Sequence, residues 1–351
     1  MIMNEWLFPF SKDFPFFMTH PCLIIAEIGS VHDGSLGNAK KLIEAAAQSG
    51  AGVVKFQTHI AEAETLRDAP MPPYFKGEPR YEYFQRTGFS REKWLELKAH
   101  CEAHGVEFMS SPFSIAAVEL LDSIGMKRYK IPSGEVTNIP MLEVIAQTGK
   151  PVILSSGMSS WAELDEAVAT ITRHHTDLAI LQCTSEYPCP YEEVGLNIMA
   201  EMKTRYGVPV GLSDHTLTPY APLAAVCVGA TIIEKHFTFS RLMYGSDAKN
   251  SLEPAEFADM VRGIRAVEIM LNTRLDKDLV AAGKGEMKAI FEKSIVSLIT
   301  IPAGATITAE MVAVKKPGTG IPARRLPEII GKRARIAIPS DTLIKEDDLI
   351  P

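Results

Sequence analysis

The chain has 351 residues, 46% of them hydrophobic and 23% charged, with a formal net charge of −7. This composition is ordinary for a soluble globular protein, and the length allows one large domain with a small appendage, or two domains. The charges form no basic stripe of the kind that binds nucleic acid, and no apolar run approaches the roughly 20 residues that span a membrane. Five cysteines without a CxxC pair argue against a disulfide framework and favour a cytoplasmic location.

Residues 1–21 are predicted to be an N-terminal extension. Their aromatic residues resemble the apolar part of a secretion signal, but the stretch lacks a basic start and is interrupted by Pro9 and Pro15. Met18 is an alternative initiator. We assign no function to this segment.

From Cys22 onward, eight short apolar runs each stop at polar residues, and helical patterns such as Trp161–Thr172 separate them. The runs are 22–28, 52–56, 106–109, 128–131, 152–154, 178–181, 208–212 and 232–233. Near-continuous apolar strands alternating with helices are typical of parallel sheets closed by helices. They predict a (β/α)8 TIM barrel over residues 22–274. A doubly wound open sheet is the alternative, but no GxGxxG follows the first strand.

Two segments depart from this alternation. The connection from His59 to about Ser90 is long and rich in proline and aromatic residues, which is typical of a lid or a subunit contact. After a linker at 275–293, residues 294–351 change to short strands and turns. A domain of that size is marginally stable alone, so we expect it to dock on the barrel or on a partner subunit.

Polar residues gather where the predicted strands end, and TIM barrels build their active sites at that end. Two lysines with several hydroxyls suit an anionic substrate, and two carboxylates suit proton transfer or binding of sugar hydroxyls. His215 and His236 follow successive strands and could face one point, which suits a divalent metal. A hydrogen-bonded pair of surface histidines is the alternative. The strand-end residues are Glu27, Lys55, Gln57, Ser111, Lys130, Ser133, Glu135, Ser155, Ser185, Ser213, His215 and His236.

Ordered motifs along the chain resemble those of the sialic acid synthase family. They are IIAEIG, VVKFQTH, MSSPFS, YKIPSGE, ILSSGMSS, LQCTSEYPCPYEEV, VGLSDHT, IEKHFTFSR and GSDAKNSLEP. The tail KSIVSLITIPAGATIT…VKKPGTGIPA is similar to the C-terminal antifreeze-like (SAF, β-clip) domain of that family. The resemblance covers about residues 22–351.

The resemblance implies a transferase that condenses phosphoenolpyruvate with the open-chain aldehyde of an N-acetylmannosamine-like amino sugar. The products would be a nine-carbon 2-keto sugar acid and phosphate. It also implies a divalent metal, Mn2+ in the first place with Mg2+ or Co2+ as alternatives. The implied assembly is a domain-swapped homodimer, in which one subunit's antifreeze-like domain covers its partner's barrel mouth.

The resemblance also assigns roles to individual positions. His215 and His236 match the metal ligands, and Glu27 and Glu135 match carboxylates near the reacting carbons. The family's phosphoenolpyruvate contacts fall on Lys55, Lys130, Ser133, Ser155 and Ser213. Its sugar contacts fall on Tyr187 and Asp247, and Gln57, Ser111 and Ser185 are further substrate-binding candidates.

Three departures from the family pattern leave the acceptor sugar open. The loop Ser30–Gly34 differs from the usual asparagine-histidine-asparagine-glycine, and Ser185 stands where neuraminate enzymes carry asparagine. Lys316 replaces an arginine that reaches the sugar from the neighbouring subunit, which keeps the charge but loses the bidentate fork. Legionaminic and pseudaminic acid precursors, or a 6-phosphorylated mannosamine, are alternative acceptors.

Two other kinds of protein remain alternatives. One is a Schiff-base aldolase on the same barrel, with Lys55, Lys130 or Lys235 as the amine. The other is a carbohydrate-binding protein without catalytic activity.

Overall fold

The structure is a computed structural model that describes residues 20–70 and 77–350. Its first part alternates strands with helices, as the sequence predicts. The strands are β1 (Leu23–Gly29), β2 (Val53–Thr58), β3 (Glu107–Pro112), β4 (Tyr129–Ile131), β5 (Val152–Ser155), β6 (Leu178–Cys183), β7 (Val210–Asp214) and β8 (Ile232–His236). The helices are α1 (Leu36–Gln48), α2 (Ala61–Glu64), α3 (Arg80–Thr87), α4 (Arg91–Ala103), α5 (Ile115–Ser123), α6 (Ile139–Gln147), α7 (Trp161–Thr172), α8 (Leu196–Tyr206), α9 (Tyr220–Cys227) and α10 (Pro254–Asn272).

The strands form one sheet in the order β3-β2-β1-β8-β7-β6-β5-β4, and its hydrogen-bonded pairs are parallel. The two end strands, β3 and β4, also pack against each other, so the sheet curls into a near-closed barrel. The TIM-barrel prediction is therefore confirmed.

Successive residues of each strand face opposite sides of the barrel wall. In β2, Val53 belongs to the apolar cluster inside the barrel, while Val54 and Phe56 pack in the larger cluster between strands and helices. The inner cluster comprises Ile25, Val53, Met109, Ile153, Ala179, Leu181 and Ile232. Beyond this apolar layer, the next inward-facing side chains are polar, as where Val53 is followed by Lys55 and Ile232 by Glu234. The alternation thus places the polar strand ends inside the barrel.

The turn after β7 is fixed by a buried ion pair. Lys235 of β8 lies 2.5 Å from Asp214 Oδ2, and the two side chains are 0% and 1% exposed. Lys235 Nζ also donates to the Thr216 carbonyl, and Asp214 accepts hydrogen bonds from the Thr216 N–H and hydroxyl. Because both charges are paired and hydrogen-bonded, their burial is tolerated. The pair holds the backbone of residues 214–216 against β8.

Contacts along the chain divide it into one unit that ends at Thr273 and a second that begins at Arg274. The second unit contains α11 (Lys277–Ala282), α12 (Gly285–Phe291), β9 (Ser294–Ser297), β10 (Val312–Lys315), α13 (Leu326–Ile329), β11 (Arg333–Ala334) and β12 (Leu349–Ile350). Strands β9 and β10 pair antiparallel, as do β11 and β12. They enclose a small core that includes Ile295, Ile301, Ile329 and Ile344.

Parts of the sequence predictions fall outside the described residues. These are most of the 1–21 extension and the Met71–Phe75 stretch of the long connection after β2. In the ranges that the structure does describe, no helix combines the length and apolarity needed to cross a bilayer.

The buried pair predicts an asymmetric response to substitution. Lys235→Met should lower the free energy of unfolding by about 3–5 kcal/mol, because it leaves the Asp214 carboxylate buried without its counter-charge. Adding Asp214→Asn should recover part of that loss, since no buried charge then remains unpaired. Chemical denaturation of the single and double variants measures both effects.

Lys150→Met serves as the matched control. Lys150 pairs with Asp122 at 2.5 Å, but the side chains are 26% and 50% exposed. Its loss should therefore cost no more than about 1 kcal/mol. Equal losses at Lys150 and Lys235, or strictly additive losses in the double variant, would contradict the role given to burial.

Candidate active site

A pocket opens where the barrel strands end. The predicted residues that line it are Glu27, Lys55, Gln57, Lys130, Ser133, Ser155, Ser185, Tyr187, Ser213, His215, His236 and Asp247. Among the described residues of this unit, predicted positions Ser111 and Glu135 do not line the pocket. The fold therefore brings most of the candidates together.

Four buried charged side chains form the floor of the pocket. Lys55 Nζ lies 2.6 Å from Glu27 Oε2 and 3.7 Å from Glu234 Oε1, and Lys130 Nζ lies 3.4 Å from Glu234 Oε1. The side chains are between 2% and 7% exposed. We call Glu27, Lys55, Lys130 and Glu234 the charge cluster. Its charges are paired within the cluster rather than by solvent.

The two carboxyls of the charge cluster have opposite pKa shifts. Burial raises the pKa of Glu27 to about 7, although Lys55 opposes the shift. Burial also acts to raise the pKa of Glu234, but Lys130 and Lys55 outweigh it and hold the pKa at about 2. Glu234 is therefore ionised at neutral pH, whereas Glu27 can gain or lose a proton there.

Hydroxyl groups hold the ends of both lysines. Lys130 Nζ donates to Ser155 Oγ at 2.7 Å, and Lys55 Nζ donates to Ser111 Oγ at 3.2 Å. Ser111 thus contacts the site through Lys55 rather than as part of the lining. Glu135 lies beside the lining residue Gly134, accepts a hydrogen bond from the Asn138 side chain at 2.8 Å, and has a pKa raised by burial.

The two histidines face each other across the ends of β7 and β8. Their ring centroids lie 5.3 Å apart, and the Tyr187 ring lies 4.1 Å from that of His215. Burial is the first cause that lowers the pKa of each histidine to about 3, so both imidazoles are neutral at pH 7. They do not form a solvated surface pair.

A divalent metal fits this pair of histidines. His215 Nδ1 lies 2.7 Å from the Thr184 carbonyl, which fixes the tautomer and leaves Nε2 unprotonated. His236 Nδ1 is buried and has no hydrogen-bond partner among the described residues. The same is true of Glu234 Oε2. Neutral imidazoles with free nitrogens are the ligands that divalent transition metals prefer.

The upper wall of the pocket was not predicted. His59 is stacked between Phe84 and Phe113, with centroid distances of 3.6 and 4.1 Å, and Arg80 lines the same side. His59, Phe84 and Arg80 come from the long connection after β2, which the sequence marks as functional without assigning residues. Met158 adds apolar surface to the pocket.

The loop that contains Asp247 can pack closely against β1 because residue 29 is a glycine. A Cβ atom at Gly29 would lie 2.5 Å from Asp247 Oδ2, and the residue has φ +54°. Glycine therefore meets both requirements, a left-handed backbone and room for the carboxylate. The pKa of Asp247 is raised by burial.

Two residues of β8, Glu234 and Lys235, have positions that the sequence analysis does not predict. The strand-end residues predicted from the sequence do not include Glu234, although Glu234 and His236 both face the barrel interior because they are two residues apart. Lys235 faces the opposite way and is held by Asp214, so it is not a pocket amine.

In the second unit, Lys316 is exposed, with Nζ 4.9 Å from the centre of the Phe291 ring.

Comparison with known proteins identifies the family. Residues 42–275 match the NeuB family, and residues 292–350 match the SAF domain. The chain is 39% identical to the N,N'-diacetyllegionaminic acid synthase of Campylobacter jejuni, over 92% of this chain and 99% of that protein. It is 33% identical to the N-acetylneuraminate-9-phosphate synthase of Mus musculus, over 94% and 93% of the two chains.

A solved relative supports the same assignment. The crystal structure of an N-acetylneuraminic acid synthetase from Leptospira borgpetersenii is 32% identical and superimposes with a TM-score of 0.67. The match covers 77% of this chain and 92% of that chain. The chain therefore belongs to the NeuB family, whose members include sialic, legionaminic and pseudaminic acid synthases.

Proposed function

We propose that the protein condenses phosphoenolpyruvate with an N-acetylmannosamine-like amino sugar, giving a nine-carbon 2-keto sugar acid and phosphate. The observation that carries the proposal is one pocket with two buried lysines beside two neutral histidines. The lysines suit an anionic donor, and the histidines suit a metal that activates a carbonyl acceptor.

Phosphoenolpyruvate would bind over the charge cluster. Lys55 and Lys130 would donate charge-assisted hydrogen bonds to its phosphate and carboxylate. Ser133, Ser155 and Ser213 line the same pocket and can add neutral donors. Because Ser111 and Ser155 already hold the two ammonium groups, little side-chain entropy would be lost on binding.

His215 and His236 would hold the divalent metal, with Mn2+ as the first choice and Mg2+ or Co2+ as alternatives. When bound, the ion would act as a Lewis acid toward the aldehyde oxygen of the acceptor. Tyr187 and Asp247, together with Gln57 and Ser185, would hold the sugar hydroxyls and amide in the same pocket.

The protein's own groups would then position the reactants and transfer protons. The methylene carbon of phosphoenolpyruvate would attack the aldehyde carbon. Water would then add to the carbon that bears the phosphate, and the resulting tetrahedral intermediate would expel phosphate. Glu27 has a pKa of about 7 and can exchange protons at the reacting oxygens. Glu135 is the second proposed carboxylate. Holding both reactants together contributes several kcal/mol, on the order of 7 or more in favourable cases.

A diacetamido-trideoxyhexose is the second candidate acceptor, with legionaminic or pseudaminic acid as the kind of product. Phe84, Phe113 and Met158 give the pocket an apolar side, which suits the methyl groups of a second acetamido group and a deoxygenated carbon. The 39% identity to a diacetyllegionaminic acid synthase points the same way. A 6-phosphorylated mannosamine remains a third candidate.

The proposed assembly is a domain-swapped homodimer, with domains at 22–274 and 294–351 joined by the linker 275–293. Lys316 is exposed in the second unit and carries the charge that the resemblance places near a partner's sugar site. The cysteines in the described residues are free, and Cys22, Cys101, Cys183 and Cys189 are buried, which supports a cytoplasmic location.

The activity is tested with purified protein, Mn2+, phosphoenolpyruvate and a panel of amino sugars that includes each candidate acceptor. We expect phosphate release only when an acceptor is present, together with a product whose mass equals the condensed sugar acid. His236→Ala should abolish both signals and lower the bound metal. Chelation of the wild-type protein should do the same reversibly.

Three outcomes would contradict the proposal in whole or in part. Full activity after complete metal removal would exclude the metal's role. A pyruvate adduct trapped by borohydride on Lys55 or Lys130 would indicate the Schiff-base aldolase instead. No phosphate release with any acceptor would favour a carbohydrate-binding protein.

Lys130→Met should specifically weaken the donor side of the site. The KM for phosphoenolpyruvate should rise about 10- to 100-fold, because a charged hydrogen-bond donor is lost, while the KM for the sugar changes little. Steady-state kinetics with each substrate varied in turn measure both constants. Lys150→Met, on the protein surface, is the control. A larger effect on the sugar would show that the two sides of the site are assigned the wrong way round.

The crossed assembly is tested by mixing two inactive variants, His236→Ala and Lys316→Ala, under conditions that allow subunit exchange. In a heterodimer with crossed tails, one barrel mouth receives both lesions and the other receives none. Activity should return in proportion to the heterodimer population. If exchange is demonstrated and Lys316→Ala alone is inactive, no recovery would mean that the tail does not serve a partner's site.

A further inference from the structure

A second group of metal-binding side chains lies on the outside of the barrel. Glu44 belongs to α1, His100 lies in the last turn of α4, and His104 is the C-terminal cap of α4. One ligand atom from each residue lies within 4.8 Å of the others. The two helices pack against each other, so the group joins neighbouring elements rather than a single helix surface.

The separation of two ligand atoms already suits a shared metal ion. His100 Nε2 lies 3.2 Å from Glu44 Oε1. Two ligands of one tetrahedral zinc ion lie about 3.3 Å apart, given metal–ligand bonds of about 2.0–2.1 Å. An ion could therefore bind between these atoms with little movement of either side chain.

The third ligand is oriented by the backbone. His104 Nδ1 lies 2.8 Å from the His100 carbonyl and donates its proton there, which leaves Nε2 as the unprotonated nitrogen. The imidazole rings of His100 and His104 have centroids 4.4 Å apart. Metal-binding histidines commonly have their second nitrogen held by a carbonyl in this way.

The partial charge at the C-terminal end of α4 favours a cation, while Lys41 contacts only the second oxygen of Glu44. The C-terminal end of α4 carries a partial negative charge from its unpaired carbonyl groups, and both histidines lie at that end. Lys41 Nζ donates to Glu44 Oε2 at 2.8 Å, and this hydrogen bond is the first cause that holds the pKa of Glu44 below its usual range. Glu44 is therefore ionised, and Oε1 is the oxygen directed at His100.

We propose that Glu44, His100 and His104 form a zinc site, with water as the fourth ligand at the exposed side. Two imidazoles and one carboxylate are a common protein donor set for Zn2+. The site lies at the helix ends that precede β2 and β3, opposite the strand ends that form the pocket. The inference is independent of the proposed function.

Zinc bound here connects α1 to α4 and stabilises the folded barrel by mass action, because the unfolded chain does not hold the three ligands together. The effect is expected on stability rather than on turnover. This separates the site from the metal proposed at His215 and His236.

The experiment uses tag-free, full-length protein and measures zinc binding by calorimetry and the midpoint of thermal unfolding with and without Zn2+. A His215→Ala/His236→Ala background removes the other candidate site. In that background we expect one zinc per chain at micromolar free metal and a zinc-dependent rise in the midpoint. Adding Glu44→Gln or His104→Ala should weaken binding by at least about tenfold and remove the rise.

The control is His174→Ala in the same background. His174 Nε2 lies 2.6 Å from Glu143 Oε1, which is a surface histidine–glutamate pair without the second ligating histidine. Zinc binding should be unchanged by its loss. The variants should share one unfolding midpoint without zinc, and His104→Gln provides a second lesion if His104→Ala alone alters that midpoint. Retained binding in Glu44→Gln and in both His104 variants, or binding only at millimolar zinc, would overturn the proposal.

Discussion

The site depends on the burial of four ionisable side chains where the barrel strands end. A single unpaired ion at this depth would cost several kcal/mol, so each of Glu27, Lys55, Lys130 and Glu234 needs an oppositely charged neighbour within the cluster. Eight strands hold the cluster in place, since parallel pairing fixes where each side chain points. The lysines are therefore oriented before a ligand arrives. Such preorganisation is the usual source of electrostatic strength in enzyme sites.

The two-residue repeat of a strand determines which lysines face the pocket. Lys235 and His236 are adjacent in β8, yet Lys235 points toward the helices and pairs with Asp214, while His236 lines the pocket. The inward-facing lysines, Lys55 and Lys130, meet carboxylates that a ligand can compete with. The outward-facing one only maintains the turn that carries His215. Residue type alone does not distinguish these roles.

Much of the fold could be predicted from the sequence because each strand of the barrel is a continuous apolar run that ends in polar residues. The helix predicted at Trp161–Thr172 has those bounds in the structure. The convergence of His215 and His236 also follows from parallel topology. Glu234 could have been found from its two-residue spacing to His236.

The wall formed by His59, Phe84 and Phe113 could not be predicted in the same way. Its residues come from two separate connections, and their stacking is decided by tertiary packing rather than by a local period. Ser111 shows a related limit to prediction. It faces inward near the end of β3, yet it contacts Lys55 instead of lining the pocket. Whether a strand-end residue lines a pocket or supports a neighbour depends on the length of the side chains around it.

Charge balance connects the proposed donor, the metal and Glu27. With both carboxyls ionised, the two lysines and two carboxylates of the charge cluster sum to zero. Phosphoenolpyruvate carries about three negative charges near neutral pH, from one carboxylate and a phosphate monoester. The lysines alone cannot compensate for it, because their charges are already matched by Glu27 and Glu234. A divalent ion at the histidines would offset two of the added charges, and a proton on Glu27, whose pKa is about 7, would offset the third. Metal binding and protonation of Glu27 should therefore each strengthen donor binding in the proposed reaction, and by linkage donor binding should strengthen both, whereas the ion and the proton oppose each other directly.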